Sequence, residues 1–234
     1  KKACKMADAT CYVTKNAIQK RYFPRKNTFS TYCSDVDISL FENSKAKDYG
    51  TKALTEITLI HIAAVISGKA KGHKELLEAV RILQLKGYKV KCKLIGAGTL
   101  DSDLEEFVYQ NNIYVEKLGS LALKQIEAEF LSADMFVFPS YREGLPRVVV
   151  EAMASGIFCI ASDLDGIKEL LPEQVLVPIK NSMMLAEKID YYAQNPVLMT
   201  QQCALNKETV KDYTVLALQR RRSDFYRYLL NMLK

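Results

Sequence analysis

From residue 57 onward, short apolar runs alternate with amphipathic stretches, and no other feature constrains the fold of this chain as strongly. The run ITLIHIAAV (57–65) is β-branched and nearly uncharged, which is typical of a strand buried in a parallel sheet. HKELLEAVRILQLKG (73–87) then places leucines and a valine on one helical face, with Gly87 as the stop. Because this order recurs as far as residue 178, the sequence predicts an α/β fold with a doubly wound parallel sheet.

The later elements follow the same pattern. Further strands are predicted at VKCKLIG (90–96), IYVEKLG (113–119), DMFVFPS (134–140), GIFCIAS (156–162) and VLVP (175–178). Ser102 and Glu105 have the spacing of a capping box for a helix that begins there. GIKELL (166–171) predicts a short helix, and the stretch from Thr214 to Lys234 predicts a long one.

Residues 1–50 do not continue this alternation. ADATCYVTKNAIQKRYFP (7–24) predicts one strand and one helix, STYCSDVDI (30–38) a second short strand, and NSKAKDYGTK (43–52) a polar linker. The sequence does not start with methionine, so we expect it to be a piece of a longer chain. We therefore divide it into residues 1–50 and a sheet domain of residues 51–234.

Composition excludes several classes of protein. The 234 residues are 49% hydrophobic and 26% charged, an ordinary profile for a chain that buries a core. No run reaches the roughly 18–20 apolar residues of a membrane-spanning helix, and the basic N-terminus lacks an apolar signal segment, so we expect a cytoplasmic protein. Basic runs occur at Lys20–Lys26 and Arg220–Arg222. A solvated face is the first interpretation of them, and contact with an acidic ligand or with an acidic membrane surface, peripherally at the inner face of the plasma membrane, is the second.

The cysteines, histidines and aspartates do not predict a metal centre. Six cysteines are scattered without paired spacing, several of them in strand-like runs, as expected of small buried side chains in a reducing compartment. Only His61 and His73 are present, too few for a histidine-rich metal site. The Asp-x-Asp tripeptides at 35–37 and 163–165 are too short a pattern to predict one. We expect no metal and no cofactor, and no nucleic-acid partner, because no platform of aromatic and basic residues is present.

The segment PSYREGLPRVVVEAMASG (139–156) carries the clearest functional signal. Its three consecutive valines favour a strand, but Pro146 suits the start of a helix, EAMA is helix-forming, and Gly156 suits the end. The segment thus predicts a strand, a loop and a helix start, where ligands of open parallel sheets bind and where free amides attract anions. Glu143 lies in the loop, and Glu151 lies among apolar helix residues, where an ionised carboxylate needs a partner.

These two glutamates, separated by seven residues within P-S-x-x-E-G-L-P and E-A-M-A-S-G, resemble the donor-site motif of the family 4 retaining glycosyltransferases. In the family's order, LIGAGTL (94–100) resembles its Gly-x-Gly loop, AKGHKELLEAV (70–80) its Lys-Gly phosphate loop, and SADMFVFPS (132–140) the strand before the motif. The resemblance covers about residues 57–200. It implies the two-domain GT-B fold, with this chain as its C-terminal, Rossmann-like, nucleotide-sugar-binding half.

Under this resemblance, residues 1–50 are the remnant of the acceptor domain and the interdomain linker. Glu143 is then the catalytic residue that contacts the transferred sugar, and Glu151 binds the ribose hydroxyls. The amides of Gly144 and Leu145 face the sugar or the distal phosphate.

The phosphate contacts implied by the resemblance depart from the family pattern at one position. Lys71, beside Gly72 at a helix start, is implied to pair with the diphosphate as a point charge. Five residues before this lysine the family usually has an arginine, whereas Ile66 stands here. Lys69 is the nearest cation that can substitute for the arginine.

Two glycines complete the implied donor site. Gly98 belongs to the Gly-x-Gly loop. Gly166 is the flexible half of the sequence Asp165-Gly166, which replaces the family's Gly-Gly pair.

The resemblance implies transfer of a sugar from a UDP- or GDP-type nucleotide-sugar to an acceptor hydroxyl with retention of configuration. YVTKNAIQKRYFP (12–24) is similar to bacterial surface-polysaccharide enzymes of the family. A saccharide or lipid-linked acceptor would bind through the missing N-terminal domain, so this chain alone is expected to be inactive. A related epimerase, phosphorylase or hydrolase and a catalytically inactive nucleotide-binding subunit are the alternatives. A dinucleotide oxidoreductase is disfavoured, since AAVISGKAKG (63–72) lacks the Gly-x-Gly-x-x-Gly loop.

Overall fold

A computed structural model describes residues 1–66 and 69–232 of the chain. The strands in this part are β1 (Ala9–Tyr12), β2 (Phe29–Tyr32), β3 (Glu56–Val65), β4 (Lys89–Ala97), β5 (Tyr114–Gly119), β6 (Met135–Phe138), β7 (Phe158–Ser162) and β8 (Leu176–Val177). The helices are α1 (Lys2–Met6), α2 (His73–Leu85), α3 (Ser102–Gln110), α4 (Leu123–Ser132), α5 (Arg147–Ser155), α6 (Ser182–Gln194), α7 (Pro196–Val210) and α8 (Val215–Met232).

Strands β3 to β8 form one sheet in the order β5-β4-β3-β6-β7-β8, and all neighbouring pairs are parallel. The helices pack in two groups, with α2 against α6, and with α4 and α7 against α5. The predicted doubly wound α/β fold is therefore confirmed. The strand order reverses between β3 and β6, and in such sheets ligands bind beyond the carboxyl ends of the strands at this point.

Helix α5 forms although three consecutive valines follow its first residue, Arg147. Val149, Val150 and Met153 are fully buried, so packing offsets the weak helix preference of β-branched residues. Pro146 stands at the N-cap, and Gly156 ends the helix in the left-handed conformation with φ +84°. A Cβ atom at Gly156 would lie 2.2 Å from the carbonyl oxygen of Lys45, so only glycine fits.

Two local predictions in the sheet domain are wrong. Helix α3 has Asp101 at its N-cap with no side-chain cap, and Glu105 pairs with Lys117 at 2.6 Å where a capping box was predicted. Residues 165–170 form turns in place of the predicted helix. The stretch is shorter than two helical turns, and Pro172 disfavours helical backbone at the residue before it.

The amino-terminal segment, residues 1–50, also differs from its prediction. Strands β1 and β2 pair in parallel, and helix α1 precedes them unpredicted. A single 3-10 turn, Ile18–Lys20, replaces the predicted helix after β1. The predicted C-terminal helix is present as α8 over the described residues, and it packs on β2, where the rings of Phe29 and Tyr228 stack at 4.8 Å between centroids.

Buried cysteines were predicted throughout, but only part of the set is buried. Cys92, Cys159 and Cys203 are buried, whereas Cys11 is exposed. Within residues 1–66 and 69–232, every helix is too short or too polar to span a bilayer. Over the same ranges no three His, Cys, Asp or Glu side chains cluster in a way that could hold a metal ion.

The predicted polar linker, residues 43–52, is held firmly against the sheet domain. Lys47 N donates to the carbonyl oxygen of Gly156 at 2.9 Å. The Tyr49 hydroxyl donates to the carbonyl oxygen of Asp134 at 2.6 Å and accepts from Phe158 N at 3.0 Å. This phenol therefore joins the starts of β6 and β7 to the linker, and burial raises its pKa.

We expect Tyr49→Phe to lower the free energy of unfolding by about 1–3 kcal/mol, because it leaves a carbonyl and an N–H group without their partner. Urea unfolding measures the change. Tyr191→Phe is the matched control, since Tyr191 is 53% exposed. Equal unfolding midpoints for the two variants would show that the linker does not depend on the Tyr49 hydroxyl.

Candidate functional site

The carboxylate of Glu143 lies at the centre of a polar cluster in the loop between β6 and α5. Its Oε1 is 2.7 Å from Lys71 Nζ and accepts a hydrogen bond of 2.7 Å from Ser140 Oγ. The Glu143 side chain is 14% exposed and that of Lys71 is 32% exposed. The structure thus brings two of the predicted site residues together as an ion pair that remains accessible to a ligand.

Gly72 allows the turn before α2 to pack on this loop. It has φ +75°, and a Cβ atom there would lie 2.1 Å from the carbonyl oxygen of Pro139. Next to this contact, Tyr141 N donates to the carbonyl oxygen of Ala70 at 2.8 Å. The turn before α2 and the loop after β6 are therefore in direct contact, and this contact places Lys71 beside Glu143.

A second close approach fixes the other side of the loop. A Cβ atom on Gly166 would lie 1.5 Å from the carbonyl oxygen of Gly144, so the loop after β7 touches the Glu143 loop through backbone alone. Leu145 is buried and anchors the loop in the core. Three of the predicted donor-binding residues, Gly144, Leu145 and Gly166, are therefore neighbours of Glu143.

Glu151 lies apart from this cluster, in the second turn of α5. Burial raises the pKa of its carboxyl above the ordinary value of 4.5, and the positive charge of Arg147 one turn earlier opposes that shift. Among the described residues no hydrogen bond satisfies this carboxylate. A partly buried carboxylate in this state gains from polar hydrogens supplied from outside the chain.

Two cavities flank the Glu143 loop. One, of about 840 Å³, lies beyond the ends of β3 and β4 and is lined by Ile66, Tyr141 and the start of α3, among others. The other, of about 700 Å³, lies between Glu143 and residues 17–23. Residue 141 faces the first cavity and residue 143 the second, so this loop separates them.

The remaining predicted residues lie outside this cluster or outside the described structure. Gly98, with φ +86°, is in an exposed turn after β4, and no described contact joins it to the Lys71–Glu143 pair. The backbone of Lys69 begins the 3-10 turn that ends at Lys71, but its side chain lies outside the described part of the chain. Ile66 stands where the family usually has an arginine. It is 2% exposed and is an apolar part of the lining of the first cavity.

Sequence reasoning missed Ser140 and Glu169. Ser140 is fully buried and orients the Glu143 carboxylate; its place in P-S-x-x-E was the available signal. Glu169 lies in the stretch for which a short helix was predicted, and its carboxylate accepts hydrogen bonds from Lys15 N and Asn16 N. No local pattern reveals a contact between residues so far apart in the sequence.

The two histidines pack against each other. Burial lowers the pKa of His61 to about 3, so its ring is neutral, and Nδ1 is 2.8 Å from the carbonyl oxygen of Val137 and donates to it. The ring of His73 packs edge-on against it at 4.7 Å between centroids. This pair supports the sheet beneath the first cavity.

Known glycosyltransferases resemble this chain in sequence. The family model described as "Glycosyl transferases group 1" matches residues 48–210. A relative from Bacillus subtilis strain 168, named putative teichuronic acid biosynthesis glycosyltransferase TuaC, is 29% identical over 167 residues. The alignment covers 69% of this chain and 41% of that protein, so the chain spans less than half of that relative.

Solved structures resemble it in fold. Sucrose-phosphate synthase from Thermosynechococcus elongatus superposes with a TM-score of 0.78 at 18% identity, over 98% of this chain and 60% of that one. The pneumococcal O-GlcNAc transferase GtfA, solved in complex with UDP and GlcNAc, superposes with a TM-score of 0.65 at 18% identity, over 95% of this chain and 46% of that one. At this identity the likeness concerns the fold alone, and it confirms the predicted Rossmann-like α/β fold.

Because the partly buried carboxylate of Glu151 has no hydrogen-bond partner among the described residues, we expect Glu151→Gln to stabilise the unliganded protein at neutral pH. The pKa of Glu151 is higher in the folded protein than in the unfolded chain, so protonation of this carboxyl stabilises the fold. This stabilisation is fully present below pH 4.5 and is lost as the pH rises through the folded pKa. The variant should therefore show a higher Tm at pH 7, and the difference should vanish below about pH 4.5. Thermal unfolding across this pH range measures it.

Glu143→Gln is the matched control, because this carboxylate already has Lys71 and Ser140 as partners. It should not raise the Tm at pH 7. Equal stabilisation by both variants would mean that Glu151 is no more strained than a paired glutamate.

Proposed function

Because this chain belongs to the glycosyl transferases group 1 family, we propose that it binds a UDP- or GDP-type nucleotide-sugar and forms the donor half of an enzyme that transfers the sugar with retention of configuration. The observation that carries the proposal is the partly buried carboxylate of Glu151, which has no hydrogen-bond partner among the described residues, on the helix that follows the loop with the Lys71–Glu143 ion pair. The two acidic groups have different surroundings, which suits different tasks.

Glu151 binds the two ribose hydroxyls of the nucleotide. A carboxylate accepts two hydroxyl hydrogens through its two oxygens, and such bonds to a charged group are stronger than neutral ones. Ligand binding would thus supply the partners that the folded chain does not provide. This assignment explains why an ionisable group stands beside the buried residues of α5, where it is itself partly buried.

Lys71 and Glu143 act on the bond between the sugar and the diphosphate, which breaks during transfer. In the unliganded chain they neutralise each other at 2.7 Å. When the donor binds, Lys71 turns towards the diphosphate as a point charge and stabilises the leaving group, together with the free amides at the start of α5. Glu143, still held by Ser140, then faces the sugar, with the amides of Gly144 and Leu145 beside it.

The resemblance to retaining glycosyltransferases supports attack of the acceptor hydroxyl from the face that the leaving group vacates. No carboxylate base on this chain is needed for such a path, because the departing diphosphate can accept the hydroxyl proton. Retention of configuration follows from attack on the same face.

The biological setting and the missing half are part of the proposal. The relative TuaC is named for teichuronic acid biosynthesis, and the GtfA structure contains UDP, which supports bacterial surface polysaccharide as product and a nucleotide-sugar as donor. The acceptor, a saccharide or a lipid-linked saccharide, binds through a domain of which residues 1–50 are the remnant, at the cytoplasmic face of the membrane. This chain alone transfers no sugar, because catalysis requires both reactants to be held together.

A catalytically inactive nucleotide-binding subunit is the second candidate, and one observation favours it. Ile66 is buried at the position of the family's arginine, so one cation for the diphosphate is missing. Lys71 is nevertheless in place beside Glu143, and a subunit that had lost catalysis would have no need to keep this pair.

Two variants test the assignment of the glutamates. Glu151→Gln loses the charged component of two hydrogen bonds to ribose, so nucleoside diphosphate binding should weaken about tenfold or more. Glu143→Gln should leave that affinity nearly unchanged but lower kcat of the complete enzyme sharply, as expected of a group that acts in the transition state. Calorimetry with UDP and GDP, and turnover of the complete enzyme, are the measurements. Wild-type affinity in Glu151→Gln would remove that residue from the ribose site.

Nucleoside diphosphate binding should not require a divalent metal, because the described residues offer Lys71 and helix amides to the phosphates and no cluster of metal ligands. Calorimetry in excess EDTA, with UDP, GDP, ADP and CMP compared, measures both the nucleotide and the metal dependence. Binding that disappears in EDTA and returns with manganese would contradict this mode of phosphate binding.

A further inference from the structure

The carboxylate of Glu169 accepts hydrogen bonds from three successive backbone N–H groups at the other end of the chain. Oε2 accepts from Lys15 N at 2.7 Å, and Oε1 accepts from Asn16 N at 2.6 Å and from Ala17 N at 2.5 Å. Each bond joins residues at least 152 positions apart in the sequence. Bonds to an ionised acceptor are about twice as strong as neutral ones, so this contact holds the two segments together.

The segment that Glu169 binds, residues 15–17 with their neighbours, also has hydrogen bonds of its own. Thr14 is fully buried, and its hydroxyl oxygen accepts from Ile18 N at 2.9 Å. Gln19 Nε2 donates to the carbonyl oxygens of Thr14 and Lys15. These bonds shape the backbone between β1 and the Ile18–Lys20 turn, and Glu169 satisfies the three N–H groups that they leave over.

Residues 13–18 lie directly on the Glu143 loop. A Cβ atom at Gly144 would be 3.5 Å from Ile18 Cδ1 and 3.9 Å from Val13 Cγ2. On its other side Gly144 touches Gly166, three residues before Glu169. The backbone next to Glu143 is therefore enclosed between two pieces of chain that the Glu169 carboxylate ties to each other.

We propose that Glu169 is a positioning residue that clamps residues 13–18 onto the Glu143 loop and so sets the width of the cavity of about 700 Å³ between Glu143 and residues 17–23. This role rests on the proposed function, because that cavity is where an acceptor hydroxyl meets the sugar held by Glu143. Glu169 does not touch the reacting atoms. It acts through the backbone of residues 15–17, and no neutral side chain of its size can replace it, since glutamine has one acceptor oxygen and would turn an NH₂ group towards the remaining donors.

Hydrogen exchange of the 234-residue chain tests the clamp without any ligand. In Glu169→Gln, the amides of residues 15–17 should exchange about tenfold faster or more, while β3, β4 and β6 keep their protection. Glu173→Gln is the matched control, since Glu173 is an exposed glutamate four residues further along. Unchanged exchange at residues 15–17 would overturn the proposal, as would equal acceleration in the control.

Ala17→Pro tests the same bonds from the donor side. Ala17 has φ −65°, which proline adopts, and the substitution removes one of the three N–H groups. Faster exchange at residues 15 and 16 supports the clamp. Wild-type exchange there contradicts it, and this outcome stays readable if Glu169→Gln does not fold.

Kinetics of the complete enzyme separate positioning from a general loss of structure. Glu169→Gln should lower kcat or raise the acceptor KM, with the affinity for UDP or GDP unchanged, because Lys71 and Glu151 are not part of the clamp. Nucleotide affinity that falls together with kcat would overturn the positioning role. If the wild-type chain binds no nucleoside diphosphate, the proposed function fails, but the exchange experiment still decides whether the clamp exists.

Discussion

Contact between bare backbones is the constraint on which the site depends. At Gly72 and Gly166 a single added carbon would overlap a carbonyl oxygen, at 2.1 Å and 1.5 Å. Both contacts press a neighbouring loop against the loop between β6 and α5, so that Lys71 approaches Glu143 from one side and the turns after β7 support it from the other. A parallel sheet brings the ends of its strands to one edge, but only these close approaches turn separate loops into one rigid surface.

The two glutamates that the sequence singled out are in opposite electrostatic states. Glu143 has a cation and a hydroxyl as partners, whereas Glu151 is partly buried without a hydrogen-bond partner among the described residues, and its pKa is raised. A paired group can be released when a ligand competes for its partner. A partly buried carboxylate without a partner lowers the stability of the unliganded protein, and a ligand that supplies the partner removes this penalty. Proteins commonly retain such destabilising groups at functional sites. Under the proposed assignment of Glu151 to the ribose site, stability of the unliganded protein and affinity for the nucleotide would be opposed at this residue.

The fold and the position of the Glu143 loop could be predicted from residue patterns, because both depend on local sequence. The pairing of Lys71 with Glu143 could not, since the two residues are 72 positions apart. Alternating apolar runs determine strands and helices, and the strand–loop–helix segment around Glu143 places its own residues within a few positions of each other. The turns at 165–170 and the position of Glu169 could not be predicted, since they result from packing between segments that are distant in the sequence. The amino-terminal segment was predicted poorly for the same reason: its 3-10 turn is shaped by Thr14, Gln19 and a carboxylate from the other end of the chain.

The packing of α8 on β2 changes what counts as a separable unit. The chain leaves the sheet domain after α7 and returns to the amino-terminal segment, where Phe29 stacks on Tyr228 and Arg221 lies 4.3 Å from the centroid of the Tyr32 ring. A boundary drawn at residue 50 follows the order of the sequence but does not separate the two bodies in space. Any exchange of sheet domains between related enzymes therefore has to transfer α8 with residues 1–50 and make its junction before residue 215, at the cost of a second crossover point.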